Sequence, residues 1–202
     1  MKIVINHLTR MRSPFICVAG VELRTGTHVR PVVAGKQLHN DLLVRHGGPF
    51  EMAARIELPT VTPVPHPPEV EDHLFTSNEA ELEGYLPPDR FWELLNRIAR
   101  PKLAQIFGPA LTKRGAQAAA VDIGKGSASL GCLVPARPPR LYLRWDKRIR
   151  IEVTDGDLNL DLSVTDIRPY GPDYVTPDDG VVGRVAKRIS AGDGDDGRLR
   201  AS

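Results

Sequence analysis

Two alternating apolar runs on either side of Asp155-Gly156 limit most strongly how this chain can fold. Asp-Gly is a preferred pair for a two-residue hairpin loop of type I′. Because side chains alternate between the two faces of a strand, one register places every apolar residue of both runs on the same face. In that register the opposed pairs are Val153 and Leu158, Ile151 and Leu160, and Ile149 and Leu162. The sequence therefore predicts a two-stranded ribbon with one buried face.

Short strands separated by turns are also expected over most of the remaining chain. The 18 glycines and 18 prolines favour strands and turns over a helical protein. Runs rich in apolar and β-branched residues are typical of strands. The predicted strands cover residues 2–6, 15–23, 27–33, 50–58, 116–123, 129–135 and 141–145.

One helix is predicted from Pro87-Pro88 onwards, because proline is preorganised for a first helical turn. Phe91, Leu94, Leu95 and Ile98 then form an apolar stripe at helical spacing. Residues 78–86 are expected to add a helical turn before it, and Leu103 to Phe107 a short turn after it.

These elements predict a mostly β protein with minor α structure, divided into four segments. Residues 1–75 form a first β module, residues 76–110 an acidic helical connector and residues 111–170 a second β module. Residues 171–202 are expected to be partly disordered, since their end is rich in glycine and aspartate.

Bulk properties point to a protein of the cytoplasm. No apolar run approaches the length of a membrane span, and the polar start of the chain does not resemble a signal peptide. Cys17 and Cys132 lie in apolar runs without a CxxC spacing, which favours reduced, buried thiols. The net charge is only +2, but residues 1–57 and 111–170 are basic and residues 58–110 are acidic.

The N-terminal region resembles the dual OB-containing domain proteins of bacteria. The residues that carry the resemblance are Cys17, Ala19, Gly20, Val21, Gly26, Val29, Arg30, Pro31 and Val32. The segments HPPEVEDHLF, at 66–75, and SVTDIRPY, at 163–170, are also similar to the family. The resemblance implies two small OB-like barrels joined by the helical connector. It implies no established activity for particular residues.

The candidate binding face lies in the basic stretch 137–150. Its outward-facing residues combine an aromatic ring with arginines, a combination that neutralises phosphates and stacks bases of a single strand. The predicted nucleic-acid contacts are Tyr142, Arg144, Arg148, Arg150 and Arg140, with Arg30 as a phosphate clamp in the first module. A solvated surface is the alternative, with Arg150 paired to Asp161 across the hairpin and Arg30 paired to Glu22.

No cofactor, metal site or catalytic set is expected. The proline-rich segment at 66–75 contains five possible metal ligands: His66, Glu69, Glu71, Asp72 and His73. It lacks the pair of histidines at helical spacing that is typical of many metal sites. It is more simply interpreted as an acidic surface loop, or as a segment that packs across the first module through Leu74 and Phe75. The segment GKGS at 124–127 lacks the spacing of a P-loop.

The sequence is compatible with three functional hypotheses. The first is a non-catalytic nucleic-acid-binding protein that prefers single strands. The second is a protein-interaction module or accessory subunit of a larger bacterial complex, possibly in defence, because OB-type barrels also bind proteins. The third is an enzyme acting on nucleotides, for which the sequence supplies no nucleophile, base or metal set.

Overall fold

The computed structural model describes residues 1–146 and 148–169. The predicted disorder of residues 171–202 concerns a segment outside them. The described chain is mostly β with two short helices, which confirms the expected fold class. The strands of its first part are β1 (Lys2–Arg10), β2 (Phe15–Glu22), β3 (His28–Val32), β4 (Leu38–His39), β5 (Ala54–Glu57), β6 (Val61–Pro63), β7 (Asp72–Phe75) and β8 (Glu81–Tyr85).

These eight strands form one curled sheet in the order β6-β7-β3-β2-β1-β5-β8, with β4 also paired to β2. All pairs are antiparallel except β3 with β7. The concave side encloses a continuous apolar core that includes Ile3, Ile5, Leu8, Ile16, Val18, Phe50 and Ile56. Phe75 at the end of β7 packs edge-on against Phe50, with the ring centroids 6.1 Å apart. The sheet is therefore the half-barrel expected of an OB-like fold.

A β-bulge at Asn6 interrupts the alternation of side chains along β1. Ile5 pairs with Gly20 and His7 with Ala19, so that Asn6 is the extra residue. Ile3 and Ile5 before the bulge and Leu8 after it all lie in the core. The bulge therefore leaves both Asn6 and His7 on the opposite face of the sheet.

Two helices follow β8, and the first of them packs against that opposite face. They are α1 (Pro88–Ile98), which begins at the predicted proline, and α2 (Leu103–Phe107). Leu94 of α1 packs with Val4 and Val21 in a second apolar cluster. Of residues 78–86, expected to add a helical turn, only the start belongs to a 3₁₀ turn, at Ser77–Glu79, and the rest contains the edge strand β8, which pairs with β5. Backbone pairing across the sheet outweighs the local helical tendency of this glutamate-rich segment.

Two small sheets form the rest of the described chain. One pairs β9 (Leu111–Lys113) with β10 (Ala119–Val121). The other has the order β11-β12-β13, formed by Arg140–Leu143, Ile149–Thr154 and Asn159–Ser163. Residues 129–135, predicted as a strand, make only an isolated bridge between Leu133 and Arg100.

The ribbon predicted around Asp155-Gly156 is present, but its register differs by two residues. Val153 pairs with Leu160 and Ile151 with Leu162, so the loop is longer than the expected Asp-Gly pair. The Asp155 carboxylate accepts hydrogen bonds from the backbone N–H groups of Asp157 and Leu158 and thereby holds this loop. An even shift preserves the faces, although Leu162 remains 42% exposed.

Several contacts join the second part to the first. Leu103 of α2 donates its backbone N–H to the buried Asp155 carboxylate, at 2.9 Å. Glu71 accepts hydrogen bonds from the backbone and hydroxyl of Ser129, both at 2.8 Å. After β13, Ile167 enters the core of the first sheet.

Candidate nucleic-acid interface

Five of the six predicted contact residues lie together on β11, β12 and the turn between them. We call Arg140, Tyr142, Arg144, Arg148 and Arg150 the arginine ribbon. Tyr142 pairs with Arg150 across the two strands, and Arg140 pairs with Glu152. The guanidinium of Arg140 also lies over the Tyr142 ring, 5.1 Å from its centroid. The sequence therefore identified a contiguous surface.

Acidic side chains neutralise much of the arginine ribbon. Arg140 donates two hydrogen bonds to the Glu152 carboxylate, both at 2.8 Å. Arg144 contacts Asp146 at 2.6 Å, and Arg148 lies 3.5 Å from the same carboxylate. Partial burial opposes ionisation of Asp146, but hydrogen bonds from Arg148 and Arg144 outweigh it and lower its pKa. These pairs agree with the alternative of a neutralised surface.

Arg150 is the most enclosed arginine of the ribbon. Its side chain is only 17% exposed and contacts Asp161 Oδ1 at 3.0 Å. It also donates to the Asp161 carbonyl and the Ser163 hydroxyl. Tyr142 donates its hydroxyl to Asp161 Oδ2 at 3.0 Å. The hydrogen bond from Arg150, followed by that from Tyr142, lowers the pKa of Asp161. Arg150 and Tyr142 thus hold β11, β12 and β13 together.

Trp145 is an aromatic residue of this surface that the predicted contact set omits. It lies in the turn after β11 and is 88% exposed. The guanidinium of Arg144 lies 5.6 Å from the centroid of its ring. A tryptophan in a basic stretch was the available sequence signal. Strand alternation over residues 141–145, however, directs Tyr142 outward and places Trp145 on the same side as Leu141 and Leu143.

A groove of about 520 Å³ lies beside the arginine ribbon. Arg137 and Arg140 contribute positive charge to its wall, and Gln117 and Asn159 contribute amides. Its floor includes Val153 and Leu160 of the hairpin. Glu152 also lines the groove, which meets β11 at Arg140, whereas Trp145 lies beyond the other end of that strand.

Arg30 lies on β3, within the first sheet and not on the arginine ribbon. Its side chain is 16% exposed and contacts the carboxylates of Asp72 and Glu69, the latter at 3.0 Å. Glu22, the partner considered from the sequence, instead lies 3.5 Å from Arg24. Arg30 therefore fixes the segment that leads into β7.

The ligand-rich segment at 66–73 is largely occupied by such internal contacts. Asp72 and Glu69 contact Arg30, and the buried Glu71 is bonded to Ser129 and Leu130. His73 Nδ1 lies 2.8 Å from the Glu71 carbonyl oxygen. These side chains tie the segment to its surroundings and do not converge on a common point.

A different group, which we call the His-Cys cluster, comprises His7, His28 and Cys132. One donor atom from each residue lies within 4.8 Å of those of the other two. Asn6 Nδ2 lies 3.1 Å from His28 Nε2 and 3.5 Å from Cys132 Sγ. His28 and Cys132 line a groove of about 770 Å³ between the 23–28 turn, α1 and residues 127–132.

Comparison with protein families assigns the chain to one family. The model of the dual OB-containing domain matches residues 1–190. The chain belongs to this family. No curated protein and no solved structure matched in the other two comparisons.

The dual OB-containing domain match covers both the arginine ribbon and the His-Cys cluster. Within it, Cys17, Ala19 and Gly20 lie on β2, and Arg30 lies on β3. A Cβ atom at Gly20 would come 2.8 Å from the Val4 carbonyl oxygen, so this position requires glycine for close strand packing. Among the described residues, no helix combines the length and apolar character needed to cross a membrane.

Proposed function

We propose that this dual OB-containing domain protein binds nucleic acid without catalysis and prefers single strands. The exposure of Trp145, with an arginine over its ring, carries the proposal. Unpaired bases stack on aromatic rings, whereas duplex bases are already stacked. OB-type barrels commonly present a strand face to oligonucleotides.

The more exposed arginines of the ribbon are suited to contact phosphates. The Arg140 and Arg148 side chains are each 68% exposed, and exposed ion pairs contribute little to stability. A phosphate can therefore replace Glu152 or Asp146 as the partner of these arginines at small cost. Arg150 and Tyr142 support the surface in this proposal, since both are engaged with Asp161. Arg30 lies apart from it, within the first sheet.

Oligonucleotide titration of the full chain tests the proposal. The fluorescence of Trp145 should be quenched by a single-stranded oligonucleotide, more strongly than by the matching duplex. Trp145→Ala lacks the reporting indole, so its binding is followed by the anisotropy of a labelled oligonucleotide. It should bind about tenfold more weakly or worse, because stacking on an aromatic ring contributes about 1–3 kcal/mol per base. Trp92→Ala, which removes the tryptophan of α1, is the control and should leave the affinity unchanged.

Salt dependence provides a second measurement. Each phosphate contact adds about 0.7 to the slope of log affinity against log salt for a single strand. Replacing Arg140, Arg144 and Arg148 together with alanine should reduce this slope by about 2. Binding that is independent of salt, or unchanged in both the triple variant and Trp145→Ala, would disprove the proposed interface.

A protein-interaction module is the second candidate, favoured by the ion pairs that neutralise the arginine ribbon. A stable complex with one protein, together with no binding to single-stranded or double-stranded nucleic acid at low salt, would favour the protein-interaction module.

The free thiols of Cys17 and Cys132 fit a reducing compartment, so we place the protein in the cytoplasm under either candidate.

A further inference from the structure

The His-Cys cluster is assembled from three separate segments of the chain. His7 lies on β1 just after the bulge, and His28 begins β3, opposite Val21. Cys132 follows in the second part, where its carbonyl accepts a hydrogen bond from the Arg100 backbone N–H at 2.9 Å. His28 Nε2 lies 4.0 Å from Cys132 Sγ. The fold thus brings two imidazoles and one thiol to a single point.

Two polar atoms at this point lack a hydrogen-bond partner within the part of the chain that the structure describes. They are Asn6 Oδ1 and His7 Nε2, and both are buried. A buried polar atom without a partner costs about 1–3 kcal/mol. The two imidazole rings pack edge to face, with centroids 5.4 Å apart, which two cations would not favour.

We propose that His7, His28 and Cys132 bind a zinc ion. Neutral imidazole and thiolate are the ligands that zinc prefers, and hard cations such as Mg²⁺ take oxygen ligands instead. In a tetrahedral site with Zn–N bonds of about 2.1 Å and Zn–S bonds of about 2.3 Å, the donor atoms lie roughly 3.5 Å apart. His28 Nε2 lies 4.0 Å from Cys132 Sγ and all three donor atoms lie within 4.8 Å of one another, so zinc binding requires these side chains to close by up to about 1 Å.

The ion would face the 770 Å³ groove, because His28 and Cys132 both line it. Three protein ligands leave the fourth position of a tetrahedral ion for water or another ligand. Rotating the Asn6 amide by half a turn would direct Oδ1 towards the cluster, since its oxygen and nitrogen are assigned from hydrogen bonding alone. On binding, the Cys132 thiol loses its proton to solvent and the sulfur lone pair forms the bond to zinc.

Metal binding by the chelator-treated full chain tests this proposal. Equilibrium dialysis should give one zinc ion per chain. Cobalt(II), used as a spectroscopic substitute, should give a thiolate-to-cobalt charge-transfer band and the visible bands of a four-coordinate ion. Zinc should also raise the melting temperature, because it binds the native state. Wild-type protein that binds no zinc, or that binds cobalt without a thiolate band, would overturn the proposal.

Matched variants identify the ligands. Cys132→Ser should abolish the thiolate band and weaken zinc binding at least tenfold, whereas Cys17→Ser should change neither. His28→Gln should weaken zinc binding, while His73→Gln, on the wall of the same groove, should not. Circular dichroism of each metal-free variant checks folding, and Cys132→Ala replaces Cys132→Ser if the latter is unfolded. Equal losses in Cys17→Ser and Cys132→Ser would contradict the assignment.

Discussion

Arg30 shows how a residue that looks available in the sequence can be occupied in the fold. Its strand position and the following proline suggested a fixed, outward cation. The parallel pairing of β3 with β7 instead places Arg30 directly beside Asp72. Its guanidinium is then enclosed by Asp72 and Glu69, two acids about 40 residues further along the chain. No local pattern around residue 30 indicates this pairing.

We expect Arg30→Ala to destabilise the protein by about 2 kcal/mol, as is usual for the loss of charged hydrogen bonds that leave a partly buried carboxylate unpaired. Arg24→Ala, which removes an 83% exposed side chain, should change stability by less than about 0.5 kcal/mol. Urea denaturation measures both. If Arg30→Ala kept full stability but lost oligonucleotide binding, Arg30 would be the phosphate clamp suggested by the sequence.

The hairpin of β12 and β13 shows what alternation determines and what it leaves open. The apolar face follows from the two-residue period, which any even shift of register preserves. The register itself depends on the loop, where Asp155 accepts backbone hydrogen bonds from Asp157 and Leu158. Those bonds favour a longer loop than Asp-Gly alone predicts. The hairpin and the ion pair between Arg150 and Asp161 were therefore predictable, whereas the exact register, in which Arg150 lies opposite Ser163, was not.

Asp155 should make stability depend on acid pH. Burial opposes its ionisation, but hydrogen bonds from Leu158, Leu103 and Asp157 and the charge of Lys102 outweigh this and lower its pKa. The Asp155 carboxylate therefore contributes fully to the free energy of unfolding above the unfolded-state pKa of about 3.9. This contribution is lost as the pH falls through the lower pKa of the native state. Asp155→Asn should cost about 2 kcal/mol at neutral pH, and the deficit should shrink below about pH 4.

The exposed Asp157 offers the matched control, since Asp157→Asn removes a carboxylate from the same loop. Its effect on the urea midpoint should be small between neutral pH and pH 3. If Asp155→Asn and Asp157→Asn lost equal stability at every pH, the link between the hairpin and α2 would not depend on the Asp155 charge.

At the scale of the molecule, the His-Cys cluster could not have been predicted from local sequence. His28 and Cys132 are 104 residues apart in the chain. His7 faces the cluster only because the bulge at Asn6 interrupts the alternation of β1, which a strict two-residue period would have assigned to the core. The Glu71 carboxylate holds residues 129–130 beside the first sheet, and nothing around Glu71 indicates that role.

The contact of Ile167 with the first core implies that the two parts of the chain unfold together. Ile167 is only 6% exposed, and Arg10 of β1 donates its backbone N–H to Thr165 at 2.7 Å. We expect Ile167→Ala to cost about 2–4 kcal/mol, the usual range for removing a buried isoleucine side chain. It should also speed hydrogen exchange of the β1 amides, although the residue lies far from β1 in sequence.

Leu162→Ala is the control for this contact, because Leu162 lies five residues earlier and is 42% exposed. Its cost should be below about 1 kcal/mol, with β1 exchange unchanged. Urea unfolding followed by fluorescence and by circular dichroism should give one coincident transition in the wild-type chain. The two parts of the chain would be independent if the wild-type protein showed two separate transitions. In that case Ile167→Ala would shift only one transition and would leave hydrogen exchange of the β1 amides unchanged. The curled sheet would then be stable without the segment that follows β13.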